Sequence, residues 1–437
     1  MLVSKLCENI DAKIIGLDVN ITGLNNDNRK INSGDAFFCI VGYVTDGHKF
    51  AKEAVDNGAS CIFVEHKLDI DITQVVVKNT RRAMAYVSAT FYNQPSAKKK
   101  VIGITGTNGK TTIAHIVGHV LDNVAIIGTN GIEVNGKSLE YSGRTTPESF
   151  QLQKLYNDLD VEYIVMEVSA HALSLDRVLG TKFEVTAFTN LSQDHLDYYK
   201  DMNEYFEAKA KLFSNEFPAK QIICVDDEWG QKLIQRCNDA IPVSINDKVN
   251  VDFPLKGKFN QQNMKIAYAI CKALNIKNIE EKLITMPNVE GRMQEVVRNV
   301  FVDYAHTPEA LENAITSIKE IADGKVITVF GCGGDRDKDK RAKMGRAAQE
   351  YSDYTIVTSD NPRSENPQDI IKDIKVGMKN NYEVIVDRKE AIIKALNIKN
   401  DNDVVIIAGK GHEKTQEVNG EFMHFDDVEV VKNEIKC

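Results

Sequence analysis

The chain has 437 residues, 43% of them hydrophobic and 27% charged, and a formal net charge of −9. That length exceeds one ordinary core, so two or three domains are expected. An acidic chain with no basic stripe argues against DNA or RNA as its main partner, although a local loop can still bind an anionic small molecule.

Charges at Lys5, Glu8, Asp11 and Lys13 break any apolar leader at the start of the chain. The longest apolar runs, such as 404–408, are of strand length. A membrane span needs roughly 18 residues or more. Eight cysteines (Cys7, Cys39, Cys61, Cys224, Cys237, Cys271, Cys332, Cys437) form no Cys-x-x-Cys pair and read as small buried hydrophobes in a reducing compartment. A cytoplasmic protein with no membrane insertion is expected.

The first block, 1–99, ends in Asn93-Gln94-Pro95-Ser96 and the run Lys98-Lys99-Lys100, which is linker-like. The second, 100–290, alternates apolar strands at 101–105, 163–168, 185–189 and 221–225 with helical stretches, which implies a mostly parallel sheet. The third, 291–437, repeats the pattern with strands at 300–303, 326–330, 354–358, 383–386 and 403–408 and a helix at 308–322. The fold class is α/β throughout.

The clearest local signal is VIGITGTNGKTT at 101–112. An apolar strand runs into a glycine-rich turn, and Gly109-Lys110-Thr111-Thr112 opens a helix over 113–121. Consecutive backbone N–H groups at such a turn cradle an anion. Lys110 suits the outer phosphates and the Thr111 hydroxyl suits Mg²⁺. The strict phosphate-loop pattern places glycine where Ile104 stands, with Gly103 and Gly106 to either side, so this is a variant loop.

Glu167 ends the strand beginning at Tyr163, followed by Val168-Ser169-Ala170-His171. A carboxylate at the carboxyl end of a parallel strand is placed to hold Mg²⁺, or is a surface residue at a strand end. Asp194, His195 and Asp197 follow the strand before Thr189, and the histidine suits a metal ligand or a helix cap. Lys209 lies on a helical stretch, where a lysine is ordinarily a solvated charge. In the third block, Gly331–Asp337 with Arg336, Asp360–Arg363, and Gly409–Glu413 each follow a strand. Loops at the carboxyl ends of strands are what an open sheet offers a ligand. Two arginines and a glutamate suit a zwitterionic amino acid.

The motifs GTNGKTT (106–112), MEVSAH (166–171), TNLSQDHLDYY (189–199), YFEAK (205–209), GRM (291–293), DYAHTP (303–308), GCGGDRDKDKR (331–341), DNPR (360–363) and GKGHE (409–413) occur in the order of the Mur ligase family, which the chain resembles over nearly its whole length. The resemblance implies a smaller N-terminal UDP-binding α/β domain, a central ATPase-type domain with a mostly parallel sheet, and a C-terminal Rossmann-like domain for an amino acid. It implies an ADP-forming amide ligase of peptidoglycan synthesis, and so of cell-wall biogenesis, cell shape and cell division. ATP would phosphorylate the D-glutamyl γ-carboxylate of UDP-N-acetylmuramoyl-L-Ala-D-Glu, and an amine of meso-diaminopimelate would attack the acyl phosphate. A monomer is expected.

Residue by residue, the resemblance implies ATP contacts at Gly106, Thr107, Asn108, Gly109, Lys110, Thr111, Thr112, Asn263, Arg292 and Asp303. It implies Mg²⁺ ligands at Thr111, Glu167, His195 and Lys209, the last as a CO₂-derived carbamate, with Lys110, Lys209, Glu167 and His195 catalytic. Asn28, Thr145, Thr146, Ser169 and Arg177 would meet the UDP-muramoyl dipeptide. Arg336, Asp360, Asn361, Pro362, Arg363, Gly409 and Glu413 would hold diaminopimelate. Lysine lacks the second carboxylate, so a lysine-adding relative would leave Arg363 unpaired. The nearest rivals are such a lysine-adding ligase and a folylpolyglutamate synthase-like ligase; a phosphate-loop motor or binding module is the rival from another class. Three departures stand out: Asp27-Asn28-Arg29 replaces the family's Asp-Ser-Arg, Leu175 replaces a glutamine, and the segment 244–256 is shorter than the family's β-subdomain.

Overall fold

The computed structural model describes residues 1–42, 45–139 and 143–435, so the expectation for Cys437 lies outside the described residues. Three mixed sheets, each flanked by helices, make the α/β fold. Contacts divide the chain into two compact units: Met1–Thr105, Leu121–Ala187 and Ala208–Gln221 form one, and Gly106–Val120, Phe188–Glu207 and Ile222–Cys437 the other.

In the first unit, strands β1 (Ala12–Ile15), β2 (Gly23–Asn25), β3 (Asp35–Phe38), β4 (Cys61–Val64) and β5 (Thr73–Val77) form a sheet of order β1-β5-β4-β3-β2. Only β1 pairs antiparallel. Alternate residues go to opposite faces. Phe38, Phe63 and Val75 pack in one cluster, while Phe37, Ile62 and Val64 pack in another. Each such side chain, fully buried, stabilises by about 1.5–3 kcal/mol.

The tract 93–100 is not a free linker. Asn93 and Gln94 take left-handed φ (58° and 50°) and lead into a short 3₁₀ helix, Pro95–Lys98. Pro95 and Ser96 are buried, and Ser96 Oγ accepts the Lys182 N–H at 3.1 Å. Composition marked a break in regular structure; packing filled it.

The first unit also holds β6 (Lys100–Thr105), β7 (Val124–Gly128), β8 (Gly131–Val134), β9 (Lys137–Leu139), β10 (Tyr163–Glu167) and most of β11 (Phe183–Phe188), in the order β11-β6-β10-β7-β8-β9. β7–β10–β6 run parallel, and the β7–β8–β9 meander is antiparallel. β12 (Lys220–Cys224) and β13 (Ile241–Val243) pair parallel. Between β13 and the helix Lys258–Ala273 no strand forms, so residues 244–257 are turns and coil.

In the second unit, β14 (Gln294–Val297), β15 (Val300–Asp303), β16 (Val326–Phe330), β17 (Tyr354–Val357), β18 (Tyr382–Val384) and β19 (Val404–Ala408) order as β14-β15-β19-β16-β17-β18, antiparallel only at β14. Their continuous apolar runs are the signature of strands covered on both faces. Ile327, Val329, Val405 and Ile407 face one core, and Phe330, Val357, Ile406 and Ala408 the other. Thr307 caps the helix Pro308–Lys319, its Oγ1 accepting the Ala310 N–H at 3.2 Å, with Pro308 in the first turn. That helix stops three residues before the expected 322. A hairpin of β20 (Thr415–Val418) and β21 (Glu421–His424) closes the unit before the final helix, Asp427–Ile435. Among the described residues no helix is long and apolar enough to cross a membrane. The seven described cysteines are free and buried, and burial pushes the Cys332 thiol up to about 12, as expected of inert packing groups.

Arg388 and Asp427 form a wholly buried ion pair at 2.7 Å. Arg388 also donates to Ala408 O at 3.0 Å and Ser359 O at 3.5 Å, at the ends of two strands. Asp427→Ala leaves the guanidinium uncompensated, and a loss of about 3–5 kcal/mol is expected. A thermal scan checks it: an unfolding temperature within a degree of wild type contradicts this account.

Candidate active site

β6 ends at Thr105, and the chain turns through Gly106–Gly109 into the helix Lys110–Val120. Gly106 and Gly109 have φ of +149° and +87°. A Cβ would lie 1.9 Å from Thr189 Oγ1 at the first and 2.4 Å from Asn263 Oδ1 at the second, so only glycine lets these backbones close. Thr189 Oγ1 donates to Asn108 O at 2.7 Å, Asn190 Oδ1 accepts the Asn108 N–H at 2.9 Å, and Thr107 Oγ1 accepts the Ser192 N–H at 3.1 Å. The loop is thus braced by Thr189, Asn190 and Ser192, which the sequence reading passed over. Their place directly after an apolar strand was the available signal.

Lys110 Nζ donates to Gly106 O at 2.9 Å and Thr107 O at 2.8 Å, so the ammonium is folded over its own loop. A polyphosphate in the cradle offers it stronger, charged acceptors. Thr111 and Thr112 are buried, and Arg292 Nη2 donates to Thr111 Oγ1 at 2.8 Å with its guanidinium 4.4 Å from the Tyr304 ring centroid. Asn263 Nδ2 donates to Asn260 Oδ1 at 3.2 Å. Burial pushes the Asp303 carboxyl up while Arg292 opposes it, and its oxygens accept the Met293 and Ala305 N–H groups, both at 2.7 Å. Asp303 therefore pins the turn in which Met293 adopts φ +45°.

His195 has φ +56°, and its Nε2 lies 3.4 Å from Asp194 Oδ2. Asp194 is buried, with Lys340 Nζ at 3.5 Å and His306 Nε2 at 3.7 Å. Burial pushes its carboxyl up, but His306, His195 and Lys340 outweigh that and hold it well below the ordinary carboxylate range. Asp197 is exposed and takes no part in this cluster.

In the other unit, Glu167 is buried at the end of β10 and accepts the Thr129 N–H at 2.8 Å and the Thr129 hydroxyl at 3.0 Å. It is not a surface residue. Gly128 makes room for it, since a Cβ there would meet Glu167 Oε1 at 2.3 Å. Thr146 Oγ1 donates to Glu167 O at 2.9 Å and accepts the Ser169 N–H at 3.1 Å. Ser169 caps the helix Ala170–Ser174, and Thr145 Oγ1 lies 3.5 Å from Thr129 Oγ1. Arg177 is buried, donates to Thr146 O at 3.3 Å and pairs with Glu148 at 3.1 Å. Thr146 thus links Glu167, Ser169 and Arg177, and Thr145 meets Thr129, which Glu167 also bonds.

Asn28 lines a cavity of about 810 Å³ with Asn25, Lys30, Arg144 and Glu148, the last being the partner of Arg177. Asp27 and Arg29 pair with each other at 2.9 Å, which sets the short turn that presents Asn28.

Lys209 is 2% exposed on the helix Met202–Ala210. Buried as it is, Lys209 departs from the ordinary solvated lysine of a helix; helical position alone does not reveal which way a face points. Among the described residues no group of three or more His, Cys, Asp and Glu side chains is arranged to hold a metal. The expected ligands divide between the units, Thr111 and His195 in one and Glu167 and Lys209 in the other.

Two of the third-block loops, 360–363 and 409–413, meet. Asn361 Nδ2 donates to Glu413 Oε2 at 2.8 Å, and buried Lys410 Nζ reaches Asn361 Oδ1 and Glu413 Oε2, both at 3.2 Å. Lys410 was absent from the expected set, although its place beside Gly409 pointed to it. A Cβ at Gly409 (φ +118°) would meet Asp360 Oδ2 at 2.6 Å, and one at Gly334 would meet Pro362 O at 1.9 Å. Arg363 Nη1 donates to Gly334 O at 2.9 Å. Arg336 is exposed and touches only its own loop, Nη1 donating to Asp335 O at 2.9 Å.

Glu365 anchors that loop, accepting the Asp335 N–H at 2.6 Å and pairing with Arg341 at 2.8 Å. Arg341 holds its carboxyl down at about 2 against an ordinary 4.5. A depressed folded-state value contributes stability above the unfolded value and loses it as pH falls through the folded one. Glu365→Gln should therefore remove about 2 kcal/mol at neutral pH and flatten the stability loss between pH 4.5 and 2. Urea melts at pH 7 and pH 3 test this: equal losses at both sink it.

The family models described as Mur ligase family, catalytic domain, Mur ligase middle domain, and Mur ligase, glutamate ligase domain match residues 20–102, 104–251 and 291–411. The chain is 41% identical to the UDP-N-acetylmuramoyl-L-alanyl-D-glutamate--2,6-diaminopimelate ligase of Clostridium botulinum, over 95% of each chain. It is 42% identical to that of Clostridioides difficile, again over 95% of each. A solved structure of a ligase of the same name is 30% identical with a TM-score of 0.64, covering 97% of both chains. With three domain models in order and relatives matched end to end, the chain belongs to the Mur ligase family.

Proposed function

We propose that this chain is a cytoplasmic, monomeric, ATP-dependent ligase that joins meso-diaminopimelate to UDP-N-acetylmuramoyl-L-alanyl-D-glutamate in peptidoglycan synthesis. It would work through three domains, 1–99 for UDP, 100–290 for ATP and 291–437 for the amino acid. One observation carries the choice of amino acid: Arg363 stands beside the Asn361–Lys410–Glu413 network, at the convergence of the strand-end loops. An arginine there suits a second carboxylate, and a glutamate suits an ammonium.

A carboxylate is a poor electrophile, so the D-glutamyl γ-carboxylate takes a phosphoryl group, ADP leaves, and the amine then displaces phosphate. Gly106–Thr112 hold the polyphosphate through backbone N–H groups, and Lys110 swings from its loop carbonyls onto the phosphates. Asn263, Arg292 and Asp303 flank the nucleotide. Arg177 and Ser169 orient the dipeptide, with Thr145 and Thr146, and Asn28 meets the uridine diphosphate end. Thr111, Glu167, His195 and Lys209 as a carbamate would hold Mg²⁺, which when bound supplies positive charge against the phosphates. Lys209 is buried, and an amine there that adds CO₂ and releases a proton becomes an anionic oxygen ligand of the kind Mg²⁺ accepts.

ADP release with the UDP-dipeptide tests the reading, with meso-diaminopimelate and L-lysine in parallel. Turnover with diaminopimelate is expected; turnover with lysine alone overturns the pocket assignment, and turnover with neither overturns the activity. Lys110→Ala should lower kcat by at least about 10²-fold. Lys209→Met should do the same and abolish dependence on dissolved CO₂; a variant as active as wild type removes the carbamate from the mechanism.

A further inference from the structure

Arg363 has φ +51°, and the hairpin β20–β21 holds its backbone from both sides. The Arg363 N–H donates to Glu417 O at 3.1 Å, and the Asn419 N–H donates to Arg363 O at 2.7 Å. The same hairpin carries a carboxylate to the guanidinium, with Glu417 Oε2 at 3.2 Å from Arg363 Nε. Nη1 is committed to Gly334 O. A guanidinium takes a carboxylate bidentately along one edge of its fork. With Nη1 engaged, the Nε–Nη2 edge is the one left for a substrate, and Glu417 sits on it. The side chains are 22% and 26% exposed, so the pair is only partly screened by water.

We propose that Glu417 is a specificity-determining residue of the amino-acid pocket, an internal carboxylate that neutralises Arg363 until a substrate carboxylate replaces it. This rests on the function proposed above. It changes the selectivity argument drawn from the sequence. There, lysine was disfavoured because it leaves Arg363 unpaired. With Glu417 in place Arg363 stays paired when lysine binds, and that penalty disappears. Diaminopimelate instead has to displace Glu417, which raises its KM. Glu417 therefore narrows the discrimination between the two amino acids.

The backbone tethers of residue 417, including its N–H to Asn361 Oδ1 at 3.0 Å, do not use the side chain, so Glu417→Gln and Glu417→Ala should keep the hairpin. Steady-state ADP release is measured for wild type and both variants against meso-diaminopimelate and against L-lysine. The KM for diaminopimelate should fall about three- to tenfold, more in the alanine variant than in the glutamine one, and the KM for lysine should stay or rise. The KM for ATP should not move, which a general loosening of the structure would not spare. An unchanged or raised diaminopimelate KM in both variants, with wild type active, overturns the proposal alone. Wild type inactive with both amino acids overturns the functional reading and the proposal with it.

Discussion

Charges withdrawn from water at the ends of strands set the terms for the rest of this molecule. Glu167, Asp194, Lys410 and Arg388 are all buried, and each has polar partners supplied by another segment of the chain. An unpaired charge in such a place would cost several kcal/mol, so the partner loops cannot drift without exposing or stranding it. The pairing therefore fixes loop geometry as firmly as apolar packing fixes the sheets.

The consequence for chemistry is preorganisation. The phosphate loop is shaped before any nucleotide arrives, by Thr189, Asn190 and Ser192 on one side and by glycines that admit no Cβ on the other. Polar groups at these loops are meanwhile kept occupied. Lys110 bonds its own loop carbonyls, Thr111 accepts from Arg292, and Arg363 pairs with Glu417. Each of these contacts keeps a polar or charged group from being left stranded without a partner.

The apolar runs at 101–105, 300–303 and 326–330 were legible as strands because a strand covered on both faces has no polar position to confuse the pattern. The glycine-rich turn after the first of them was legible for a similar reason, since Gly106 and Gly109 take φ values that few other residues accept. The small strands of the first block and the β8–β9 meander were not, because short, half-exposed segments carry little periodicity. Tract 93–100 read as a linker from composition, yet Pro95 and Ser96 are buried.

The residues themselves, from their order and spacing, determined the family, the α/β class, the glycine-rich loop after β6 and the three strand-end loops of the third block. Those features are local: a strand, a turn and a helix start lie within a dozen residues of one another. Only the tertiary structure decided that Lys209 is buried, that Asp194 answers to His306 and Lys340, and that Glu417 reaches Arg363. The three pairings (Arg363 to Glu417, Asp194 to His306 and to Lys340) join residues 54 to 146 positions apart. No local pattern encodes such a meeting, because the partner is chosen by how sheets and helices pack and not by the neighbours in sequence.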